Sequence, residues 1–330
     1  MASKIEKTIA RQKEKIEEGQ YYEAHQQLRV IAARYIKQTN YDAAADILAS
    51  GAGLLLKAGQ GGSGGDLCLF LLDVWTKGEK APDAASRAKL VSLLRTFPPG
   101  EPTMKRFVNE MMVWSSKFGE YPAGDPELHH VAGTVFAEAS ETYDAERHFI
   151  LGTKESPEQL IRLEYEWFTE DASHTAPLYA ARAVLPYLLI GNIRAANQSL
   201  LLFTSRLSTG SSTLAVQEVS TKSSDLRVYP SLPLLNFLGL LLLAVQRGAP
   251  DLFKQLKSHY AANLKEVGMW DEALAQIGEI YFGIKIPSQS NPLFDMMGNM
   301  FNMGGMGQGR KKEVKGRGMN LPAPPTPGLD

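Results

Sequence analysis

The chain has 330 residues, with 35 Lys plus Arg against 36 Asp plus Glu and a net charge of −1. Hydrophobic residues at 44% and charged residues at 22% are the composition of a folded protein, and the balanced charge gives no global reason to expect nucleic acid or an anionic membrane as partner. Cys68 is the single cysteine, which excludes an internal disulfide and any multi-cysteine metal site and suits a reducing cytosol.

The N-terminal "MASKIEKTIARQKEKIEEGQ" has no apolar h-region, so no secretory signal is expected, and Glu6, Glu14, Glu17 and Glu18 argue against a transit peptide. On a helix there, Lys4, Lys7, Arg11 and Lys15 form one cationic stripe beside a packing face of Ile5, Ile9 and Ile16. The stripe reads either as a solvated helix face or as a docking strip for an acidic protein surface.

Next, "YYEAHQQLRVIAARYIKQ" places Tyr21, Ala24, Leu28, Ile31 and Tyr35 on one helical stripe. "YDAAADILASGAGLLLKAG" repeats the pattern with Tyr41, Ala44, Ala45, Leu48, Ala52 and Leu55. The small alanines permit close helix approach, and Thr39-Asn40 offers a turn and a cap. The pair reads as an antiparallel helical hairpin.

The following "GQGGSGGDL", Gly59–Leu67, fits both G-x-G-x-x-G and G-x-S-x-G. Both motifs need a preceding β-strand, and "GAGLLLKA" closes a helix instead, so neither a dinucleotide site nor a Ser63 nucleophile is expected. The glycines read as a helix–helix linker, with Asp66 as the cap of a helix running through "LCLFLLDVW". Cys68 reads as a small buried apolar residue.

Further hairpins are expected from "DPELHHVAGTVFAEAS" with "YDAERHFILG", from "APLYAARAVLPYLLIG" with "IRAANQSLLLFTSRL", and from "APDLFKQLKSHYAANL" with "WDEALAQIGEIYFGI". Asp125 and Pro126 mark one helix start. Stacked hairpins carrying a loose motif predict an all-α protein, an α-solenoid, with an irregular helical bundle as the competing arrangement. "LAVQEV" and "DLRVYP" alternate in polarity around a Ser/Thr/Lys-rich turn and predict a β-hairpin near 214–229, with a surface loop as the alternative. The apolar run from Leu232, broken by Pro233 and Asn236, is too short to span a membrane and reads as a buried helix. The expected organisation is a solenoid half over 1–155, a second over 156–286 holding the β-hairpin, and a Met/Gly/Pro-rich tail over 287–330 expected to be mostly disordered.

No catalytic or metal constellation emerges. His129 and His130 are adjacent and face different ways on a helix, and His25 and His148 read as packing or surface residues. Glu164 and Glu166 read as exposed acids. The expectation is a protein without catalytic residues, cofactor or metal. A generic helical-repeat scaffold of some other cytosolic complex is the competing class.

"GQYYEAHQQLRVIAARYIKQTNYDAAADILASGA", "QGGSGGDLCLFLLDVW", "WSSKFGEYPAGDPELHH", "YDAERHFILGT", "LNFLGLLLLAVQRG" and "IGEIYFGIKIP" resemble, in order, the Golgi-to-ER traffic protein 4 family of the guided-entry pathway for tail-anchored proteins. The resemblance spans about residues 5–300 and points to a fungal member. It implies a cytosolic, non-enzymatic α-solenoid whose N-terminal half docks the pathway's targeting ATPase. Its C-terminal half would grip a ubiquitin-like-domain partner of the Golgi-to-ER traffic protein 5 type, assembling a heterotetramer through that partner. Indirectly it would reach a small glutamine-rich tetratricopeptide co-chaperone, with neither nucleic acid binding nor membrane insertion. By the same resemblance, Lys7, Arg11, Lys15 and Lys37 fall on the basic docking surface, and Asp66 falls on an acidic regulatory position. Val216, Val219, Leu226, Val228, Leu234 and Phe237 fall in the partner-binding region.

Overall fold

One left-handed residue turns the chain between each pair of the first four helices. The computed structural model describes residues 4–210, 217–221 and 224–285, leaving Val216 and the expected tail outside the described residues. In it, α1 (Lys4–Glu17), α2 (Tyr21–Lys37), α3 (Tyr41–Lys57) and α4 (Gly61–Lys77) are joined by short connections whose middle residue has positive φ. These are Gly19 at 79°, Thr39 at 55° and Gly59 at 74°. At the second, Asn40 N–H donates to Tyr35 O and Thr39 N–H to Ile36 O, both at 2.9 Å. These two hydrogen bonds close carbonyls that a helix end leaves open. The same pair of bonds recurs around Gly19, Gly59, Glu79, Ser140 and Gly191. The Tyr21 and Tyr41 stripes and the "YDAERHFILG" segment are therefore helix starts after a shared turn. Asn40 also caps α3, its Oδ1 accepting from Ala43 N–H at 3.2 Å.

Small residues set the helix spacing. Ala24, Leu28 and Ala32 of α2 are buried against α3, where Ala44, Ala45, Leu48, Gly51 and Ala52 are buried in turn. A Cβ on Gly51 would stand 2.5 Å from Leu28 Cδ1, so the Leu28 side chain of α2 rests directly on the α3 backbone. The glycine segment corrects the linker expectation: Gly59 makes the turn, and Gly61 to Gly65 are the first turns of α4. A Cβ on Gly64 would meet Leu56 Cγ at 2.6 Å, and one on Gly65 would meet Thr103 Oγ1 at 2.1 Å. At Gly61, Gly64 and Gly65 the neighbours leave no room for side chains, whereas Gly62 faces open space, and the packing at the three crowded positions offsets the cost of about 1 kcal/mol for each helical glycine. Asp66 is accordingly inside α4, whose N-cap is Gln60, and not its cap.

The layering continues through α5 (Ala84–Leu94), opened by an Asp83–Ser86 capping box, and α6 (Thr103–Phe118). In α7 (Pro126–Glu138) Asp125 is the N-cap, accepting from Glu127 N–H at 2.9 Å. α8 (Thr142–Ile150), α9 (Ser156–Phe168), α10 (Ala176–Leu189) and α11 (Ile193–Gly210) follow. Strands β1 (Gln217–Thr221) and β2 (Ser224–Val228) pair antiparallel, with Val219 opposite Leu226 and Gln217 opposite Val228. The pairing sits nearer the turn than the expected strands, and Leu214 to Val216 lie outside the described residues.

α12 (Pro233–Arg247) is the expected apolar helix, and Asn236 within it has a task. Its Oδ1 accepts from Tyr229 N–H at 2.8 Å and its Nδ2 donates to Tyr229 O at 2.9 Å, clasping the end of β2 to the helix. α13 (Pro250–His259) and α14 (Ala261–Glu266) divide, at Tyr260, what the sequence presents as one helix, before α15 (Asp271–Phe282). The described residues are helical hairpins laid side by side around one continuous core, with the small β-hairpin appended. Among them no helix is long and apolar enough to cross a membrane.

Thr39 carries a β-branched side chain at φ 55°. Left-handed backbone costs an L-residue roughly 1–2 kcal/mol, and glycine's extra chain entropy cancels about half of that gain. Thr39→Gly should therefore stabilise the protein by roughly 0.5–1 kcal/mol, seen as a higher urea midpoint. A lower midpoint would mean that the Thr39 Oγ1 bond to Gln38 O, at 2.7 Å, outweighs the backbone relief.

Candidate functional site

Two polar surfaces share α2. On its outer side, α1 lies antiparallel to it, in a register marked by Gln12 Nε2 donating to Gln27 Oε1 at 3.0 Å. Lys7, Arg11 and Lys37 are exposed and Lys15 is half-buried, while Ile16 packs into the core. Lys4 begins α1, and its side chain is outside the described set. An ion pair within α1 joins Lys13 to Glu17 at 3.7 Å, off the cationic stripe. Arg11 faces α2 across a depression of about 400 Å³ lined by Gln26, Gln27, Val30, Ile31 and Arg34. Val30 is 52% exposed there. Arg34 and Val30 were not singled out by sequence, although their i, i+4 spacing on α2 places them on one face.

On the other side of α2, His25 and Arg29 reach across to α4. His25 Nε2 lies 2.8 Å from Asp66 Oδ2, and Arg29 Nη1 donates to the same oxygen. The Arg29 guanidinium also lies over the Phe70 ring, 5.3 Å from its centroid. Burial works against the Asp66 charge, but the hydrogen bonds from Arg29 and His25 outweigh it and hold the carboxyl below its usual range. Beside Asp66 runs a groove of about 450 Å³ between α4 and α6, lined among others by Arg29, Phe70, Asp73, Arg106, Glu110 and Val113.

The C-terminal candidates separate. Leu234 is half-buried and Val228 half-buried, whereas Phe237 is fully enclosed, packed against Tyr260 and Trp270 with ring centroids 5.6 and 6.4 Å away. Phe237 is thus core, and no partner can touch it. The placement of Val219 and Leu226 is given by the strand register alone, and Val216 is outside the described residues.

A profile of the family described as "Golgi to ER traffic protein 4" matches residues 38–301. A protein of that name from Aspergillus fumigatus is 58% identical over 99% of both chains. The chain belongs to the Golgi to ER traffic protein 4 family. A Schizosaccharomyces pombe relative of the same name is 36% identical over 85% of this chain and 91% of its own. The solved "C. therm. Get4" is similar throughout, with a TM-score of 0.85, 56% identity and coverage of 95% of this chain and all of that one. The Golgi to ER traffic protein 4 profile begins after Lys7, Arg11, Lys15 and Lys37 and includes Asp66.

Of two buried polar groups, one departs from the sequence reading. Glu164 is 0% exposed, not a surface acid. Arg182 clamps Glu146 with both its Nε and its Nη2, the latter at 2.6 Å, and its Nε is 3.2 Å from Glu164 Oε2. Tyr143 and Trp167 cover the guanidinium with ring centroids 5.2 and 4.8 Å away. Burial, then the adjacent Glu146, pushes the Glu164 carboxyl up to about 10. His129 and His148 are both buried, with Nδ1 atoms 2.8 Å apart, and His129 Nε2 lies 3.0 Å from Ala123 O. Burial pushes both histidines down, His148 to about 4. Among the described residues, no three His, Cys, Asp or Glu side chains are grouped to hold a metal ion.

These groups set opposite pH dependences. The unfolded chain deprotonates Glu164 in the ordinary carboxylate range while the folded protein keeps the proton, so its contribution falls as pH rises from about 5 toward 10. Glu164→Gln mimics the protonated form, and its melting temperature should gain on wild type steadily from pH 5 to pH 9. The histidines act in reverse, since folded His148 resists a proton that the unfolded chain accepts. Stability should therefore be lost as pH falls from about 6.5 toward 4, and His148→Phe should lose less over that range.

Proposed function

We propose that the chain is a non-enzymatic adaptor of the cytosolic pathway that delivers tail-anchored membrane proteins to the endoplasmic reticulum. Its N-terminal half, residues 1–155, docks the targeting ATPase. Its C-terminal half, residues 156–286, holds a ubiquitin-like-domain partner that recruits the chaperone carrying the substrate, and the complex is a heterotetramer through that partner. The tetratricopeptide co-chaperone is reached only through this partner.

The observation that carries the reading is the cationic surface of α1 and α2. Lys7, Arg11 and Lys37 stand free of the core, and Arg34 joins Arg11 around the apolar Val30. Cations around a small apolar floor suit an acidic protein surface, where the charges steer and the apolar centre holds. Asp66 is the second contact: its carboxylate meets a cationic element of the docked ATPase and restrains nucleotide hydrolysis until handover. The β-hairpin, with Val219, Leu226 and Val228, and Leu234 on α12 form the face for the ubiquitin-like partner.

Exposed ion pairs contribute roughly 0.2–1 kcal/mol each, so one charge reversal on the strip should be nearly silent. Reversing Lys7, Arg11 and Lys15 together to Glu should weaken ATPase binding tenfold or more by calorimetry, with helicity unchanged and with weaker binding at higher salt in the wild type. Wild-type affinity in the triple variant would return the strip to a solvated face. Deleting residues 214–228 should remove the ubiquitin-like partner while sparing the ATPase. Retention of both partners would make that segment a dispensable loop, whereas a chain that captures neither partner would be a scaffold of another complex.

A further inference from the structure

Asp66 is not a bare anion. Both protein donors that reach it, His25 Nε2 and Arg29 Nη1, converge on Oδ2, and among the described residues none reaches Oδ1. The two donors differ in exposure. The His25 side chain is 12% exposed, and its Nδ1 lies 3.4 Å from Gln26 Nε2, which fits the tautomer that donates from Nε2. The Arg29 side chain is 41% exposed beside an Asp66 that is 42% exposed. Ion pairs in such settings add a factor of about five at most to an equilibrium, so Arg29 leaves readily while His25 stays.

The pairing also cancels charge. A cation approaching Asp66 from solvent meets a carboxylate and a guanidinium at the same spot, and the net field there is small. Attraction develops only when Arg29 turns aside. The structure gives it somewhere to go: its guanidinium already rests over Phe70, and the groove beyond is lined by Asp73 and Glu110.

We propose that Arg29 is a built-in competitor for the partner's cation, so that Asp66 is engaged by ion-pair exchange while His25, as a positioning residue, keeps the carboxylate aimed. The proposal rests on the regulatory reading of Asp66 given above and adds the element that opposes it.

The test uses the full chain with the targeting ATPase and reads the adaptor concentration that half-restrains ATP hydrolysis. Arg29→Met keeps an unbranched stem over Phe70 and removes the charge. It should lower that concentration by a factor of about two to five, and it should do nothing in an Asp66→Asn background. A restraint unchanged by Arg29→Met, or weakened as much as by Asp66→Asn, would overturn the exchange. An Asp66→Asn variant that restrains as well as wild type would instead remove the regulatory reading, and the exchange with it. A second measurement needs no partner: in the free protein, the Asp66 carboxyl followed by NMR should titrate at higher pH in Arg29→Met than in wild type. An unmoved titration would show that Arg29 does not hold the carboxylate, and the proposal would fall.

Discussion

Leucine side chains seated on glycine backbone across α2, α3 and α4 govern everything placed on the N-terminal face. Leu28 fills the space over Gly51, and Leu56 fills the space over Gly64, so no side chain can be added on either helix without moving its neighbour. Further glycines, Gly61 and Gly65, admit Glu101 and Thr103 at the start of α6. Four glycines in helical positions are individually unfavourable by about 1 kcal/mol each relative to alanine. What they obtain is reach. His25 and Asp66 are 41 residues apart in sequence yet hydrogen-bonded, because α2 and α4 both press close to α3.

Later helices are held by a different device. Tyr187 OH donates to Phe149 O at 3.0 Å, Tyr281 OH to Leu188 O at 2.7 Å, and Tyr165 OH to Arg206 O at 3.2 Å. Trp114 Nε1 does the same for Lys80 O at 3.0 Å, just past the end of α4. Several of these acceptors lie in the last turn of a helix or just beyond it, where carbonyls lack an intrahelical donor. A buried aromatic with one polar tip fills volume and satisfies such a carbonyl together. Stacking of hairpins in this part of the molecule is therefore pinned at helix ends, while α2 to α4 are pinned along their lengths.

The two devices explain what could be read from the sequence. Stripes such as Tyr21, Ala24 and Leu28 are local, and a period near 3.6 announces the helix without its neighbours. The cationic stripe was legible for the same reason. The glycines at 61–65 were not, because a glycine cluster is the compositional mark of a loop, and what fills their space, Glu101 and Thr103, lies far along the chain. Reading a loop there also misassigned Asp66 as a cap and hid its partners on α2. Glu164 was misread because a charged residue is taken as exposed unless a partner is visible, and Glu146 and Arg182 come from other helices. Phe237 was misread in the opposite sense: an apolar residue next to a partner-binding segment is not thereby on its surface.

The shared helix decides how the two polar surfaces communicate. α2 contributes Val30 and Arg34 to the cationic surface, and His25 and Arg29, on another face, to the Asp66 clamp. If docking on the first surface tilted or rolled α2, the clamp would open by movement of the helix. The packing opposes that motion, because Leu28 is seated over Gly51 with both residues buried, and a roll of α2 would drive its side chain into the α3 backbone. On the proposed docking, the backbone of Arg29 would therefore stay where it is when the first surface is occupied. Its side chain, 41% exposed, has the freedom the backbone lacks, so in the proposed exchange the release of Asp66 would be a rotamer change on a fixed helix, its strength set by the charges within reach of the guanidinium.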